Sequence, residues 1–340
     1  MLINLISDTV TKPTPGMLQA MMTAEVGDDV FKNDPTVNKL EEMMAGLFGM
    51  EAALFFPSGT MANQTAIKIH TQPGEQLICD KYAHVYNYEG GGASFNSGVS
   101  CRLVDGHRGM MTAGQVKEVI NPPDFYHSPL TSLVCIENTT NKGGGACWDL
   151  EELRSIGKVC DEHHLKYHLD GARLWNALIA KNESTLDYGA LFHTISVCLS
   201  KGLGCPVGSV LLGDKELIGK ALRVRKVLGG GMRQTGYLAA AGIYALENNR
   251  ERLAEDHRKA KEINFLLNGL PYIKKVEPTE TNIVIFEIDE KQMTTADFMD
   301  KLNKRGIQII GMGQNKLRIV THMDYTDEMH GTFMDILPNL

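Results

Sequence analysis

Short apolar runs alternate with longer amphipathic stretches over residues 52–213. The runs are rich in β-branched and aromatic side chains, which is typical of buried strands, and the stretches between them have the spacing of helices. This alternation predicts crossover units that feed a largely parallel sheet covered by helices on both faces. The predicted strands are 52–56, 76–79, 132–137, 166–170, 195–199 and 208–213, and the clearest helices are 60–70 and 150–164.

The pattern changes after this region. A nearly continuous helical stretch is predicted over 235–269, where Gly269 and Pro271 end it. Beyond it the predicted strands are 282–288, 306–310 and 316–322, and the predicted helices are 294–305 and 326–337. Because 340 residues exceed one ordinary core, we expect a large domain over 1–250 and a smaller α+β domain over 251–340.

Charge and composition argue against several classes of function. A formal net charge of -7 and the lack of a basic stripe argue against nucleic-acid binding. No apolar run reaches bilayer-spanning length and the amino terminus does not read as a secretory leader, so we expect no membrane partner and a cytoplasmic location. The seven cysteines are scattered without a CxxC pair, which suggests neither a disulfide framework nor a thiolate zinc site.

Polar clusters follow several predicted strands, at the edge where open α/β sheets bind ligands. Ser58-Gly59-Thr60 leads from a strand into a helix, where free backbone N–H groups and the helix dipole suit a phosphate. A plain helix cap is the alternative for this turn. Asp170 ends another strand, where its carboxylate either pairs with Arg173 or holds a proton on a cofactor ring nitrogen.

A lone lysine, Lys201, follows the strand at 195–199 and lies among glycines. An amine in a partly desolvated pocket can attack an aldehyde and form a Schiff base. Two unit charges about 4 Å apart attract by roughly 4 kcal/mol at an effective dielectric near 20, enough for Asp170 to keep a pyridine nitrogen protonated. A phosphate seat, a ring-nitrogen carboxylate and an imine lysine are the contacts that pyridoxal 5'-phosphate requires.

Histidines and arginines supply further candidates. His84 follows the strand at 76–79 and is placed to stack on a cofactor ring, with a core histidine as the alternative. Arg318 alternates with apolar residues on a strand of the smaller domain, where it suits a substrate carboxylate or a solvated face. Arg233 follows three glycines and is a candidate for a phosphate contact, within its own chain or to a second subunit.

The histidines of EHHLKYHLD (162–170) suggest a metal site at first sight. His163, His164 and His168 do not share one helix, because the run leads into the strand predicted over 166–170, and the sequence contains no HExxH. We therefore expect no catalytic metal.

The ordered motifs resemble those of the L-threonine aldolases of low specificity, which are pyridoxal-phosphate enzymes of the aspartate aminotransferase-like fold. The resemblance implies a type I fold, with a seven-stranded, mainly parallel sheet in the large domain and an N-terminal arm that reaches the active site. The motifs are SDTVTKPT (7–14), GDDVFKNDPT (27–36), FPSGTMANQ (56–64), DGAR (170–173), SKGLGCPVGS (200–209), GGGMRQ (229–234) and LRIVTH (317–322).

The same resemblance implies roles for the cofactor site. Lys201 would be the Schiff-base lysine, Asp170 the partner of the pyridine nitrogen and His84 the stacked imidazole. Gly59 and Thr60 would seat the phosphate. The implied reaction is a retro-aldol cleavage of L-threonine or L-allo-threonine to glycine and acetaldehyde.

Substrate contacts and assembly also follow from the resemblance. Ser7, Arg173 and Arg318 would engage the substrate carboxylate or a cofactor oxygen, and Arg233 would approach the phosphate from a neighbouring subunit. Such enzymes are usually homotetramers built from dimers that share active sites. Tyr88 and His127 match positions near the substrate side chain.

The chain also departs from the pattern. Ile6 stands where arginine is common, and Cys205 replaces alanine or threonine in the lysine loop. Tyr88 stands where phenylalanine or tryptophan can occur, which bears on the β-substituents that fit. His84, His127 and a bound water all remain candidates for the base that takes the β-hydroxyl proton.

Two other functions share many of these features. Transamination, β-elimination or racemisation would use every cofactor contact but break a different bond. A cofactor-binding regulator without turnover would need a DNA-binding appendage or a broken site, and the sequence contains neither.

Overall fold

The computed structural model describes residues 2–340. Its strands are β1 Ile3–Asn4, β2 Ala52–Phe56, β3 Gln76–Asp80, β4 Ser100–Val104, β5 Thr131–Glu137, β6 Lys166–Gly171, β7 Thr194–Cys198, β8 Ser209–Gly213, β9 Ile273–Val276, β10 Ile283–Ile288, β11 Ile307–Gln308, β12 Ile310–Gly313 and β13 Lys316–Val320. Its helices are α1 Pro15–Met22, α2 Pro35–Phe48, α3 Gly59–His70, α4 His84–Asn87, α5 Gly92–Ser97, α6 Ala113–Glu118, α7 Leu150–Glu162, α8 Leu174–Lys181, α9 Thr185–Gly189, α10 Lys215–Val227, α11 Gly236–Asn248, α12 Leu253–Asn268, α13 Thr295–Asn303 and α14 Asp327–Ile336.

A seven-stranded sheet forms the centre of the larger part of the described chain, in the order β2-β8-β7-β6-β5-β3-β4. Strands β3 to β7 pair in parallel, whereas β8 is antiparallel to both of its neighbours, β2 and β7. Strand β2 therefore runs in the same direction as β7. The carboxyl ends of β2, β3, β5, β6 and β7 consequently share one edge, where ligands bind in sheets of this kind.

The predicted mainly parallel sheet is confirmed, and each predicted strand in it agrees with the structure within one residue at either end. Strand β4 was not predicted. It lies at the edge of the sheet, and most of its side chains are exposed or half-buried, so it lacks the apolar run of a central strand.

The nearly continuous helical stretch predicted over 235–269 consists of two helices, α11 and α12, which are separated at residues 249–252. The Asn249 side chain donates to the backbone carbonyl of Leu203 at 2.8 Å. An asparagine that bonds to a neighbouring loop in this way favours a helix end. The break therefore anchors the α11 end to the loop that follows β7.

A second, four-stranded antiparallel sheet in the order β12-β13-β10-β9 lies in the C-terminal part of the described chain. It has its own apolar cluster, which includes Phe286, Phe298 and Phe333. Ile3 and Leu5 pack into the same cluster, and β1 pairs in parallel with β11. The chain start thus packs on the C-terminal core, and the boundary between 1–250 and 251–340 stays a prediction.

Within residues 2–340, every helix is too short or too polar to cross a bilayer.

Candidate active site

A cavity of about 280 Å³ opens at the carboxyl edge of the large sheet. The turn before α3, the start of α4, the end of β6 and the loop after β7 all contribute to its walls. The predicted site residues that line it are Ser58, Gly59, Thr60, His84, Asp170 and Lys201. Thr9 lines it as well, so the segment before α1 reaches the same cavity.

The N-terminus of α3 forms one wall. Ser58 is the helix cap, and its hydroxyl accepts from the Met61 N–H at 3.2 Å. The N–H groups of Gly59 and Thr60 have no intrahelical acceptor, because they belong to the first turn. A Cβ added at Gly59 would meet nothing within 4 Å, so open space borders this turn. The turn is therefore both a capped helix start and a suitable anion seat.

Asp170 presents an unsatisfied carboxylate oxygen to the cavity. Its side chain is buried, and Oδ1 accepts from the Ala172 N–H at 3.0 Å. No hydrogen-bond partner for Oδ2 occurs among the residues the structure describes. A buried carboxylate oxygen without a hydrogen-bond partner costs free energy, so this oxygen is suited to accept from a donor on a bound ligand.

The alternative pairing of Asp170 with Arg173 is wrong. Arg173 instead makes a bidentate ion pair with Asp8, with Nε–Oδ2 and Nη2–Oδ1 distances of 2.7 Å. Both side chains are buried, and Asn282 Nδ2 donates to Asp8 at 3.1 Å. Burial alone would raise the pKa of Asp8, but the Arg173 guanidinium holds it well below its usual range. The pair fastens the N-terminal segment to the end of β6.

Lys201 lies in a tight turn behind β7. Its backbone carbonyl accepts from the Gly204 N–H at 2.8 Å and from the Thr11 hydroxyl at 3.1 Å. Gly204 has φ +79°, and a Cβ there would meet Met323 Sδ at 2.2 Å, so the turn requires glycine. The half-buried lysine side chain lines the cavity, and Nζ donates to Cys198 Sγ at 3.5 Å.

Glu89 holds the imidazole of His84, a contact the sequence did not predict. His84 Nδ1 lies 2.9 Å from Glu89 Oε1, and the Asn63 and Gln64 side-chain amides donate to the same carboxylate at 2.9 and 2.6 Å. Since a carboxylate accepts, Nδ1 carries the proton and Nε2 is left as the acceptor of the neutral ring. One ligand atom from each of His84, Glu89 and Asp170 lies within 4.8 Å of the others.

The carboxylates around His84 raise the pKa of its imidazole. Burial lowers the pKa of His84, but the hydrogen bond to Glu89 and the nearby Asp170 carboxylate outweigh burial, and the net direction is upward. Burial together with Asp170 also raises the pKa of Glu137, to about 7. Glu137 Oε2 accepts from the His84 backbone N–H at 2.8 Å.

The three histidines of the 162–170 run do not converge on one another. His163 and His164 are exposed at the end of α7, whereas His168 is buried in β6. His168 lies 2.9 Å from Thr194 Oγ1 and 3.2 Å from Asn63 Oδ1. Burial lowers the pKa of His168 to about 4, so the ring is neutral at physiological pH.

A second cavity of about 460 Å³ shares His84 with the first. Tyr88, Asn141, Lys142 and Arg318 line it. Arg318 Nη1 donates to Asn141 Oδ1 at 2.7 Å and Nη2 donates to the Ile6 carbonyl at 3.1 Å. Burial and the neighbouring Arg173 lower the pKa of Arg318. This guanidinium therefore lines the cavity next to the one that holds the predicted cofactor-binding residues.

Apart from Arg173, three predicted site residues line neither cavity. Ser7 caps the short turn at Asp8–Val10 and accepts from the Thr9 N–H at 3.2 Å. Arg233 is exposed and pairs with Asp28 at 2.8 Å. His127 lies on an exposed loop between α6 and β5, with its ring 4.0 Å from that of Tyr126. Their roles, like that of Arg173, stay predictions.

Two departures from the family pattern can be placed in the structure. The Ile6 backbone carbonyl accepts from Arg318 Nη2 at 3.1 Å, a contact that any residue at this position could make. Cys205 is buried, and its Sγ donates to the Ala241 carbonyl at 3.4 Å, away from Lys201 Nζ.

Comparisons show that the chain is similar to known proteins over most of its length. Residues 4–291 match the family model described as beta-eliminating lyase. The chain is 41% identical to low-specificity L-threonine aldolase 1 of Arabidopsis thaliana over 97% of this chain and 94% of the relative. It is 40% identical to low specificity L-threonine aldolase of Escherichia coli K12 over 96% of each chain. In fold it resembles the Leishmania major threonine aldolase, with a TM-score of 0.85, 20% identity and 99% coverage of both chains.

Proposed function

The chain belongs to the beta-eliminating lyase family and within it to the low-specificity L-threonine aldolases, and from this membership we infer that it cleaves L-threonine and L-allo-threonine to glycine and acetaldehyde. The reaction is a retro-aldol cleavage of the Cα–Cβ bond, so the protein is a carbon–carbon lyase. The observation that carries the assignment to this cavity is the buried, unpartnered Oδ2 of Asp170 in the described chain, facing the same space as Lys201.

We propose pyridoxal 5'-phosphate as the cofactor, because the residues of the first cavity fit its three functional groups. The turn at Ser58, Gly59 and Thr60 would hold the phosphate, Asp170 Oδ2 would accept from the ring N–H, and Lys201 Nζ would bond to the carbonyl carbon. When bound, the cofactor supplies an electron-withdrawing ring that stabilises the carbanion left by bond cleavage.

The chain's own residues would orient the substrate. Arg318 presents a guanidinium braced by Asn141, which would bind the α-carboxylate. Binding of the carboxylate would limit rotation about the Cα–N bond. The Cα–Cβ bond, rather than Cα–H, would then be the bond aligned for cleavage. This positioning selects aldol cleavage over transamination or racemisation.

Proton transfer at the β-hydroxyl is assigned to His84. The ring lines both cavities, and Glu89 holds Nδ1 so that Nε2 can accept a proton. His127 is the weaker candidate, because it lies on an exposed loop that lines neither cavity of its own chain. A water bound to His84 is an equivalent route that uses the same acceptor.

We propose that the enzyme is a cytoplasmic homotetramer in which dimers share active sites. Exposed groups that a partner chain would cover support this proposal, among them Tyr126, His127 and Arg233. The free cysteines suit a reducing compartment.

Light scattering should give four chains per particle. If Arg233 acts across subunits, mixed oligomers of Arg233→Ala and Lys201→Ala chains should regain activity.

Product analysis tests the reaction. Purified protein with the cofactor should release glycine and acetaldehyde in equal amounts from L-threonine and from L-allo-threonine. Formation of 2-oxobutanoate and ammonia without aldehyde would favour β-elimination, the alternative that the family description keeps open.

A further inference from the structure

The second cavity is lined by two cationic groups without a carboxylate. Lys142 and Arg318 line it beside His84, and no Asp or Glu occurs among its lining residues in the part of the chain that the structure describes. The chain as a whole carries a formal net charge of -7. The cavity therefore gathers positive charge in a chain that is negative overall.

Lys142 is the cation that the proposed threonine reaction does not use. Its side chain is half-buried, and Nζ lies 5.2 Å from the ring centre of Tyr88 and 5.6 Å from that of Tyr82. Over residues 2–340, no carboxylate lies within salt-bridge distance of Lys142 Nζ. Lys81, on the same Tyr82 ring, differs because it is paired with Asp105 at 2.5 Å.

Lys142 lies on the side of the second cavity toward which the β-substituent of a bound substrate is expected to point. Asn141 braces Arg318, which is assigned to the α-carboxylate, and Lys142 is the next residue in the chain. The tyrosine ring below Lys142, Tyr88, lies 5.6 Å from the His84 ring, the group assigned to the β-hydroxyl. A substituent on the β-carbon would thus lie on the side where Lys142 and Tyr88 meet.

We propose that this site accepts β-hydroxy-α-amino acids whose β-substituent is a carboxylate, with 3-hydroxyaspartate as the simplest member and Lys142 as the residue that binds the second carboxylate. The inference rests on the proposed aldolase function and deepens it. An ammonium held against tyrosine faces is attracted to the rings, and a carboxylate can compete for it in a partly desolvated cavity.

The reaction balances without any further reactant. The β-hydroxyl loses its proton, the Cα–Cβ bond breaks, and the β-carbon leaves as the aldehyde of glyoxylate. The electron pair of the broken bond stays on Cα, which then takes up a proton and leaves as glycine. Each product carries one of the two carboxylates.

Kinetics with paired substrates tests the proposal. The measured quantity is kcat/KM for 3-hydroxyaspartate divided by kcat/KM for threonine, with glyoxylate and acetaldehyde as the products assayed. Lys142→Gln should lower this ratio about ten-fold, mainly through KM, and Lys142→Arg should largely preserve it. Lys81→Gln is the matched control and should leave the ratio unchanged. Added salt should lower the ratio in the wild-type enzyme, because it screens the extra charge pair.

The outcomes separate this inference from the proposed function. Wild-type enzyme that cleaves threonine but not 3-hydroxyaspartate would overturn the inference and leave the aldolase assignment intact. An unchanged ratio in Lys142→Gln would overturn the role of Lys142. Release of glyoxylate without acetaldehyde from the wild-type enzyme would support the inference and overturn the threonine activity.

Discussion

Replacing Glu89 with glutamine should lower the pKa of His84. The variant keeps the side-chain shape and removes the negative charge that lies 2.9 Å from Nδ1. That charge favours the protonated ring, so its removal must shift the pKa of His84 downward. A hydrogen bond to a charged group contributes roughly 1.5–3 kcal/mol, which corresponds to about one to two pKa units. Asp170 and Glu137, the other carboxylates that raise the pKa of His84, remain in place.

Nuclear magnetic resonance titration of the His84 ring in the cofactor-free enzyme measures this shift directly, with His84→Gln to assign the signal. In the enzyme with bound cofactor, the acid limb of the profile of kcat/KM against pH should move to lower pH by a similar amount. The reason is that the neutral His84 ring is the base, and in the variant it stays neutral to a lower pH. The value of kcat should also fall, since the ring is less well oriented. An unchanged or raised pKa of His84 in Glu89→Gln would refute the assigned contact.

Three further substitutions test other parts of the site. Asp170→Asn should retain the fold but lose cleavage by about 100-fold or more and release the cofactor more readily on dialysis; near-normal rates would contradict the ring-nitrogen contact. Asp8→Asn leaves buried Arg173 uncompensated and should lower the free energy of unfolding in urea by about 3–5 kcal/mol at neutral pH. Because the folded-state pKa of Asp8 is depressed, this contribution is present above about pH 4 and is lost as the pH falls further, and a difference that grows in acid would contradict the sign. Arg318→Lys should raise KM for threonine about ten-fold, since a lysine cannot keep both the Asn141 contact and a bidentate carboxylate; an unchanged KM would remove Arg318 from substrate binding.

The sequence predicted the central sheet and the main cofactor residues for a common physical reason. Buried parallel strands are continuous apolar runs, and their carboxyl ends share one edge, so Asp170 and Lys201 could be placed together from their positions alone. Edge strands such as β4 and β9 escaped prediction because they face solvent and lack that run.

The ion pairs and hydrogen bonds that hold the site side chains in place could not be predicted from the residues next to them in the chain. Arg173 pairs with Asp8, 165 residues earlier in the chain, and nothing near DGAR indicates this partner. Glu89 and Asn63 meet only because α3 and the segment after α4 pack together. The run of glycines after Glu89 was a usable signal, since a charged residue beside glycines near a candidate catalytic histidine suggests a close contact.

The central claim is that the cavity at the carboxyl edge of the sheet holds pyridoxal 5'-phosphate through Lys201. Borohydride reduction of the purified holoenzyme followed by peptide mass spectrometry measures this most directly. The account predicts a phosphopyridoxyl label on the peptide that contains Lys201, and its loss in Lys201→Ala. A label on another lysine in the active wild-type enzyme would contradict it.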